Sequence, residues 1–127
     1  MIEILINNLK TISEVQYDFS RKFPFLKLEF FNTAYVAEKA LPKSKMFSQD
    51  KKLGAIRKTR KEGKIIVAQH QTVNDLEKEF WERFGLSAQV FRKSGNLWIE
   101  TSLTDSWTLE QQNHEGYEMS KLHYKND

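Results

Sequence analysis

The stretch GKIIVAQHQTVNDLEKEFWERFGLSAQVFR, residues 63–92, decides how the rest of the chain is interpreted, because an earlier stretch resembles it. When the chain is aligned with itself at an offset of 61 positions, residues 65–84 match residues 4–23 in residue type. The matched pairs are Ile65 with Ile4, Val67 with Ile6, Thr72 with Thr11, Val73 with Ile12, Asp75 with Glu14, Leu76 with Val15, Glu79 with Asp18, Phe80 with Phe19, Arg83 with Lys22 and Phe84 with Phe23. The chain therefore contains an internal repeat.

Each copy of the repeat begins with a short run rich in β-branched residues, 2–6 in the first copy and 65–68 in the second. Such a run is typical of a strand. A threonine follows, Thr11 or Thr72, with an acidic residue three positions later. This spacing predicts the start of a helix, because the hydroxyl can accept a hydrogen bond from a free backbone amide. The capping box is better in the first copy, where the acidic residue is Glu14.

The predicted helices have apolar residues at three- and four-residue intervals, which places these residues on one side of each helix. The two stripes are Ile12, Val15, Phe19 and Phe23, and Val73, Leu76, Phe80 and Phe84. Pro24 and Gly85 predict where the helices end, since proline cannot continue a helix and glycine suits a left-handed cap. A second strand of alternating pattern follows in each copy, with Leu26, Leu28 and Phe30 or Leu86, Ala88 and Val90 on the buried side.

Two β-α-β copies predict an α+β fold, a ferredoxin-like β-α-β-β-α-β sandwich. We expect helices 12–23 and 73–84 side by side on one face of a single four-stranded antiparallel sheet, with residues 97–101 as an added edge strand. One domain, 1–127, would contain copy one (2–32), a basic connection (33–63), copy two (64–92) and a hairpin strand with a C-terminal tail (93–127). The alternative is two separate or swapped halves that dimerise, because the connection is long enough to allow exchange.

The connection between the copies is too long for an ordinary loop. We predict two ordered stretches, 34–41 and 50–61, the second being a helix capped by Asp50 with Leu53 and Ile56 on its apolar side. Ten basic and two acidic residues lie between Lys39 and Lys64, a net charge of +8 within a chain of net charge +3. The remainder of the chain therefore has a net charge of −5, and the excess of basic residues lies in this connection.

The last part of the chain has one further helix signal, Thr108 followed by Gln111. We predict a short helix over 109–114 that stops before Gly116, and then a mostly polar tail. A common core is expected to bury twelve apolar residues: Ile4, Ile6, Val15, Phe19, Phe23, Leu28, Phe30, Ile66, Leu76, Phe80, Phe84 and Val90. The four phenylalanines at the ends of the two stripes should form its central cluster.

Few residues have the types and spacings that catalysis or metal binding requires. The chain has no cysteine, which excludes disulfides and thiolate chemistry. His70 is isolated, and the spacing of His114, Glu118 and His123 matches no compact metal motif. No acidic residue stands in an apolar context that would raise its pKa, and no phosphate loop is present. We expect a soluble cytoplasmic protein with no secretory signal, no membrane-spanning run, no cofactor and no metal.

Three functions remain, and the first is preferred. A non-enzymatic binding or scaffold module would recognise a protein partner or a second copy of itself through a sheet edge and Trp81 and Trp98. The alternative is nucleic-acid or other polyanion binding through the segment 39–64. Its binding residues would be Lys51, Lys52, Arg57, Lys58, Arg60 and Lys61. The second alternative is an enzyme with an unrecognised pocket, using His70 or the pair of His114 and His123 as acid and base.

Overall fold

The computed structural model describes the backbone of residues 1–125 and the side chains of residues 1–121. In chain order the elements are β1 (Ile2–Ile6), α1 (Ile12–Lys22), β2 (Leu26–Phe30), β3 (Gly63–Val67), α2 (Val73–Phe84), β4 (Ala88–Ser94), β5 (Leu97–Glu100) and α3 (Leu109–Lys125). The predicted α+β class and the β-α-β order of each copy are confirmed. No helix in this part of the chain is both long enough and apolar enough to cross a membrane.

The strands form two antiparallel sheets, so the ferredoxin-like single sheet is not confirmed. One sheet pairs β1 with β3, and the other has the order β2-β4-β5. Each strand of the first copy therefore pairs with its own equivalent in the second, Ile4 opposite Ile65 and Leu28 opposite Val90. This is the arrangement that a two-fold relation between the copies produces. The alternation of apolar and polar residues predicts which side chains of a strand are buried. It does not predict which of two strands, both distant in sequence, will pair with it.

The helix ends follow the sequence signals. The Thr11 hydroxyl accepts from the amide of Glu14, and the Glu14 carboxylate accepts from the amide of Thr11, at 3.2 and 3.0 Å. Thr72 accepts from the amide of Asp75 at 3.0 Å, without the reciprocal bond. Gly85 ends α2 in the left-handed region, at φ 63°. The prediction of a better capping box in the first copy is confirmed.

The repeat extends beyond the β-α-β units, to a short segment that binds the start of each helix. In the first copy, the amides of Ile12 and Ser13 donate to the carbonyls of Lys51 and Gln49, both at 2.9 Å. In the second copy, the equivalent amides of Val73 and Asn74 donate to Trp107 and Asp105 at 3.0 and 2.8 Å. Each segment then buries a leucine completely, Leu53 in the first copy and Leu109 in the second. We call residues 49–53 and 105–109 the two capping segments.

The predicted helix over 50–61 is wrong. The connection contains only two 3-10 turns within the described residues, Lys43–Lys45 and Leu53–Ala55. The backbone of the first capping segment already bonds to residues 10–13, including the Leu53 amide to the Lys10 carbonyl at 2.8 Å. Those groups are consequently not available for the hydrogen bonds of a helix.

The C-terminal helix is longer than the sequence signals indicate. Thr108 and Gln111 cap it reciprocally, at 2.8 and 3.1 Å, as predicted. However, the helix continues through Gly116 to Lys125 instead of ending at His114. A Cβ at Gly116 would lie 2.8 Å from the Phe25 Cβ, so this glycine allows α3 to approach the start of β2 closely. Gly116 therefore serves packing and does not end the helix.

The main core contains eleven of the twelve predicted residues, with Ile66 as the exception. Ile66 is 44% exposed, whereas its neighbours Ile65 and Val67 are buried. The sheet of β1 and β3 is covered on one face only, so alternate residues of β3 point to the open face. All four predicted phenylalanines are buried in this core. Their ring contacts differ from the prediction: Phe19 lies 5.3 Å from Phe23, and the ring nearest to Phe80 is that of Phe30 at 5.6 Å.

Replacing Phe80 with Ala tests the core. Phe80 has no exposed surface and its ring packs edge to face against Phe30. Phe80→Ala should lower the free energy of unfolding by about 3 to 5 kcal/mol, through lost burial and the cavity that remains. Urea unfolding followed by circular dichroism measures it. Glu82→Ala, at an exposed position of the same helix, should change it by less than about 0.5 kcal/mol. A loss below about 1 kcal/mol for Phe80→Ala would contradict the packing of α2.

Candidate functional site

An open groove lies between the basic connection, the end of α2 and the residues that follow β2. Its volume is about 700 Å³. The lining residues are Phe31, Asn32, Thr33, Ala34, Phe47, Ala55, Ile56, Arg57, Lys58, Thr59, Trp81, Gly85 and Ser87. We call this the Trp81 groove. It brings together two predicted polyanion-binding residues, Arg57 and Lys58, and one predicted partner-binding residue, Trp81.

Arg57 holds the basic connection against the core. Its guanidinium donates to the carbonyl of Phe84 at 3.1 Å and to Asn8 Oδ1 at 2.7 Å. Desolvation lowers the pKa of Arg57, although the charge of Glu62 opposes this shift. Because both bonds are made inside the molecule, Arg57 shapes the wall of the groove and leaves Lys58 as its exposed cation.

The other predicted polyanion-binding residues lie along the same connection. Lys51, Lys52, Lys58, Arg60 and Lys61 are all exposed. None of the five forms an ion pair with a carboxylate in the part of the chain that the structure describes. Lys51 and Lys52 belong to the first capping segment, and Lys58 alone of the five lines the groove. The cations are therefore spread along an irregular segment and do not share one face of a helix.

The two predicted partner-binding tryptophans lie in different surroundings. Trp81 is 38% exposed and forms part of the groove wall. Trp98 is half-buried on the face of the β2-β4-β5 sheet that points away from the main core. There it packs against a second small core of Phe31, Leu41 and Phe91. The Lys27 ammonium lies 5.0 Å from the centre of its ring. Trp98 thus covers the second core, and its backbone lies in the edge strand β5.

Residues 33–41, which we call the strap, continue from the groove wall across the second copy. Hydrogen bonds to side chains of that copy hold it in place. The Tyr35 hydroxyl donates to Asn74 Oδ1 at 2.8 Å, and the Glu38 amide donates to Asp105 Oδ2 at 3.1 Å. Gln89 accepts from the Leu41 amide and donates to the Lys39 carbonyl, both at 3.1 Å. The predicted ordered stretch 34–41 is therefore ordered by these bonds and has no helix of its own.

A buried carboxyl group lies below the strap. Glu77 is 3% exposed, and its Oε2 accepts from the Val90 amide at 2.9 Å. Burial raises the pKa of Glu77 to about 8, and the charges of Asp105 and Glu100 add to the shift, while the hydrogen bond from the Val90 amide opposes it. The pKa of Tyr35 is raised by burial and by the charges of Glu77 and Asp105. The expectation that no acidic residue has a raised pKa is therefore wrong for Glu77.

The sequence does contain a signal for this group. Glu77 falls on the apolar stripe of α2, four residues after Val73 and three before Phe80. In the first copy Gln16 occupies the equivalent place, is also buried, and donates to the Leu28 carbonyl at 2.7 Å. A polar residue on the buried stripe in both copies is the pattern that identifies the pair. The sequence does not show that the strap, Asp105 and Glu100 lie around Glu77 and not around Gln16.

The histidines proposed for catalysis do not join this network. His70 is exposed after β3, and His114 is exposed on α3, with Nε2 3.8 Å from Glu118 Oε1. The side chain of His123 lies outside the described residues. No group of three metal-ligating side chains occurs in the described part of the chain. Raised carboxyl pKa values are typical of general acids, but the Glu77 carboxyl is enclosed and already bonded to Val90.

Replacing Glu77 with Gln tests the buried carboxyl. The folded protein holds a proton on Glu77 up to about pH 8, whereas the unfolded chain releases it near pH 4.5. The stability that this proton confers is complete below pH 4.5 and is lost as pH rises towards 8, by at most about 1.4 kcal/mol per pH unit.

Glu77→Gln cannot titrate, so its free energy of unfolding should not decline over this pH range. Urea unfolding at several pH values measures it, with Glu82→Gln as the exposed control. A variant that declines as steeply as the wild type would contradict the burial of Glu77.

Comparisons with known proteins identify no relative of this chain. Protein-family models, curated proteins and solved structures were compared with the chain, and none of the three comparisons finds a match. The groove, the basic connection and the strap are consequently the features of the described structure that bear on function.

Proposed function

We propose that this chain is a non-enzymatic binding module that recognises a protein partner, and that the Trp81 groove takes an acidic segment of that partner. The observation that carries the proposal is the composition of the groove. Its described lining includes Arg57 and Lys58 and no aspartate or glutamate, next to a partly exposed indole. A segment with carboxylates beside apolar side chains complements both features.

The size and shape of the groove support a short segment as its ligand. A volume of about 700 Å³ is in the range of sites that bind small molecules or a few side chains. Trp81 and Ile56 offer apolar contact within the groove, and the exposed Lys58 lines the same groove. Partly exposed tryptophans bury large areas on binding and are frequent binding hot spots. Trp81 would therefore supply the apolar contact, and Lys58 the charge that favours acidic residues.

Polyanion binding is the second candidate. It is supported by the exposed cations Lys51, Lys52, Lys58, Arg60 and Lys61, which have no ion-pair partner among the described side chains. Nucleic-acid binding through such residues weakens steeply as salt rises, because it releases counterions. Titrating labelled RNA and DNA at two salt concentrations tests it. Binding that is unchanged when Lys51, Lys52, Lys58 and Arg60 are all replaced with Gln would contradict it.

A peptide titration tests the acidic-segment proposal. The probe is a labelled peptide in which glutamates alternate with leucine and phenylalanine, compared with the same peptide carrying glutamine for glutamate. We expect the acidic peptide to bind and the glutamine peptide to bind far more weakly. Trp81→Ala should weaken binding by about 2 kcal/mol, or roughly 30-fold, as for a hot-spot tryptophan. Fluorescence anisotropy measures each affinity.

Two variants serve as matched controls for the groove. Trp107 is 37% exposed, close to the value for Trp81, but does not line the groove, so Trp107→Ala should bind like the wild type. Lys58→Glu should abolish binding, while Lys61→Glu, which makes the same charge change on the same connection outside the groove, should reduce it only slightly. Equal losses for both lysine variants would mean that general charge, and not the groove, attracts the peptide.

A further inference from the structure

The outer edge of β5 has little protection against pairing with another strand. β5 is the last strand of its sheet, and within the described residues nothing pairs with its outer side. Leu97 is 69% exposed and Ile99 is 41% exposed, and Glu100 is the only charged residue of the strand. Edge strands of monomers are usually protected by charges, proline or a bulge, because their free backbone groups pair readily with another chain. β5 has little of this protection.

The hairpin geometry determines which backbone groups are free. The two-residue turn at Gly95 and Asn96 makes Ser94 and Leu97 a hydrogen-bonded pair, and the pairs then alternate. Lys93 and Trp98 are therefore a non-bonded pair, which agrees with the Lys93 amide donating to Phe25 on the side of β2, at 2.9 Å. The amide and carbonyl of Trp98 consequently point outwards. No other described residue bonds to them.

We infer that two copies of this chain associate through β5, as antiparallel strands with Trp98 opposite Trp98 and Leu97 of each copy opposite Ile99 of the other. In this register the outward amide and carbonyl of each Trp98 bond to those of the second Trp98. The two exposed apolar residues of each strand cover those of the other copy. Both Glu100 side chains fall opposite Asn96, so no like charges meet.

The neighbouring register is less favourable. Centring the pair on Ile99 would place Trp98 opposite the Glu100 carboxylate and Leu97 opposite Thr101, which is already buried and bonded to the Val90 carbonyl at 2.8 Å. The ammonium groups of Lys27 and Lys93 lie 5.0 and 6.0 Å from the centre of the Trp98 ring. They approach from β2 and β4, on the inner side of the strand. The outer edge is thus clear for a second copy, and a two-fold axis at Trp98 closes the assembly as a dimer.

This inference is independent of the Trp81 groove, because Leu97, Trp98 and Ile99 do not line it. Sedimentation velocity of the full chain over a concentration series tests the association. We expect the wild type to sediment as a dimer at high concentration and Ile99→Lys to remain a monomer. Leu97→Lys provides a second edge variant should the first fail to fold. Leu103→Lys, at a position that is 92% exposed outside the strand, should dimerise like the wild type. A strictly monomeric wild type, or folded edge variants that dimerise normally, would overturn the inference.

Disulfide trapping tests the register, since the chain has no cysteine of its own. Leu97 and Ile99 of the two copies form non-bonded pairs, in which opposite Cα atoms are about 4.5 Å apart and a disulfide can form. A mixture of Leu97→Cys and Ile99→Cys should give a disulfide-linked dimer on mild oxidation, and each variant alone should give none. A linked dimer from Ile99→Cys alone, or no linkage in the mixture at protein concentrations where the wild type dimerises, would overturn the proposed pairing.

Discussion

The free backbone amides at the start of α1 and α2 are the constraint on which the rest of this structure depends. A threonine side chain satisfies only the third of them in each helix, and the capping segments supply carbonyls for the two amides before it. To reach Ile12 and Ser13, the connection must return from the end of β2 to the start of α1 before it enters β3. Its path, its lack of a helix and the burial of Leu53 all follow from this requirement.

This return path also creates the surface on which the proposed function rests. After Leu53 the chain passes along the end of α2, where Arg57 bonds to the Phe84 carbonyl and to Asn8. The connection is thereby held beside Trp81, and the space between them is the groove. The basic connection thereby forms one wall of the groove, which Lys58 and Trp81 both line.

The two copies differ where their surroundings differ. Gln16 and Glu77 occupy equivalent buried places, but Gln16 donates to a strand carbonyl and Glu77 accepts from a strand amide. Glu77 lies under the strap and near Asp105, so its carboxyl is favoured in the neutral form. The strap starts at the groove wall, with Thr33 and Ala34, and is bonded two residues later to α2 through Tyr35 and Asn74. The strap consequently connects the wall of the groove to the surroundings of the buried carboxyl.

Local sequence determined the elements of this protein, and long-range contacts decided how they assemble. The strands, the Thr11 and Thr72 caps, the helix ends and most of the buried stripes depend on interactions within a few residues, which the order of residue types specifies. Strand pairing, the capping segments and the packing of Gly116 against Phe25 join residues far apart in sequence, and no spacing rule describes them. The same division applies to the sites. Trp81, Trp98 and the basic residues could be named from composition. The groove that Trp81 and Lys58 line, and the strand edge where no described residue bonds to the Trp98 backbone, exist only once the tertiary structure has formed.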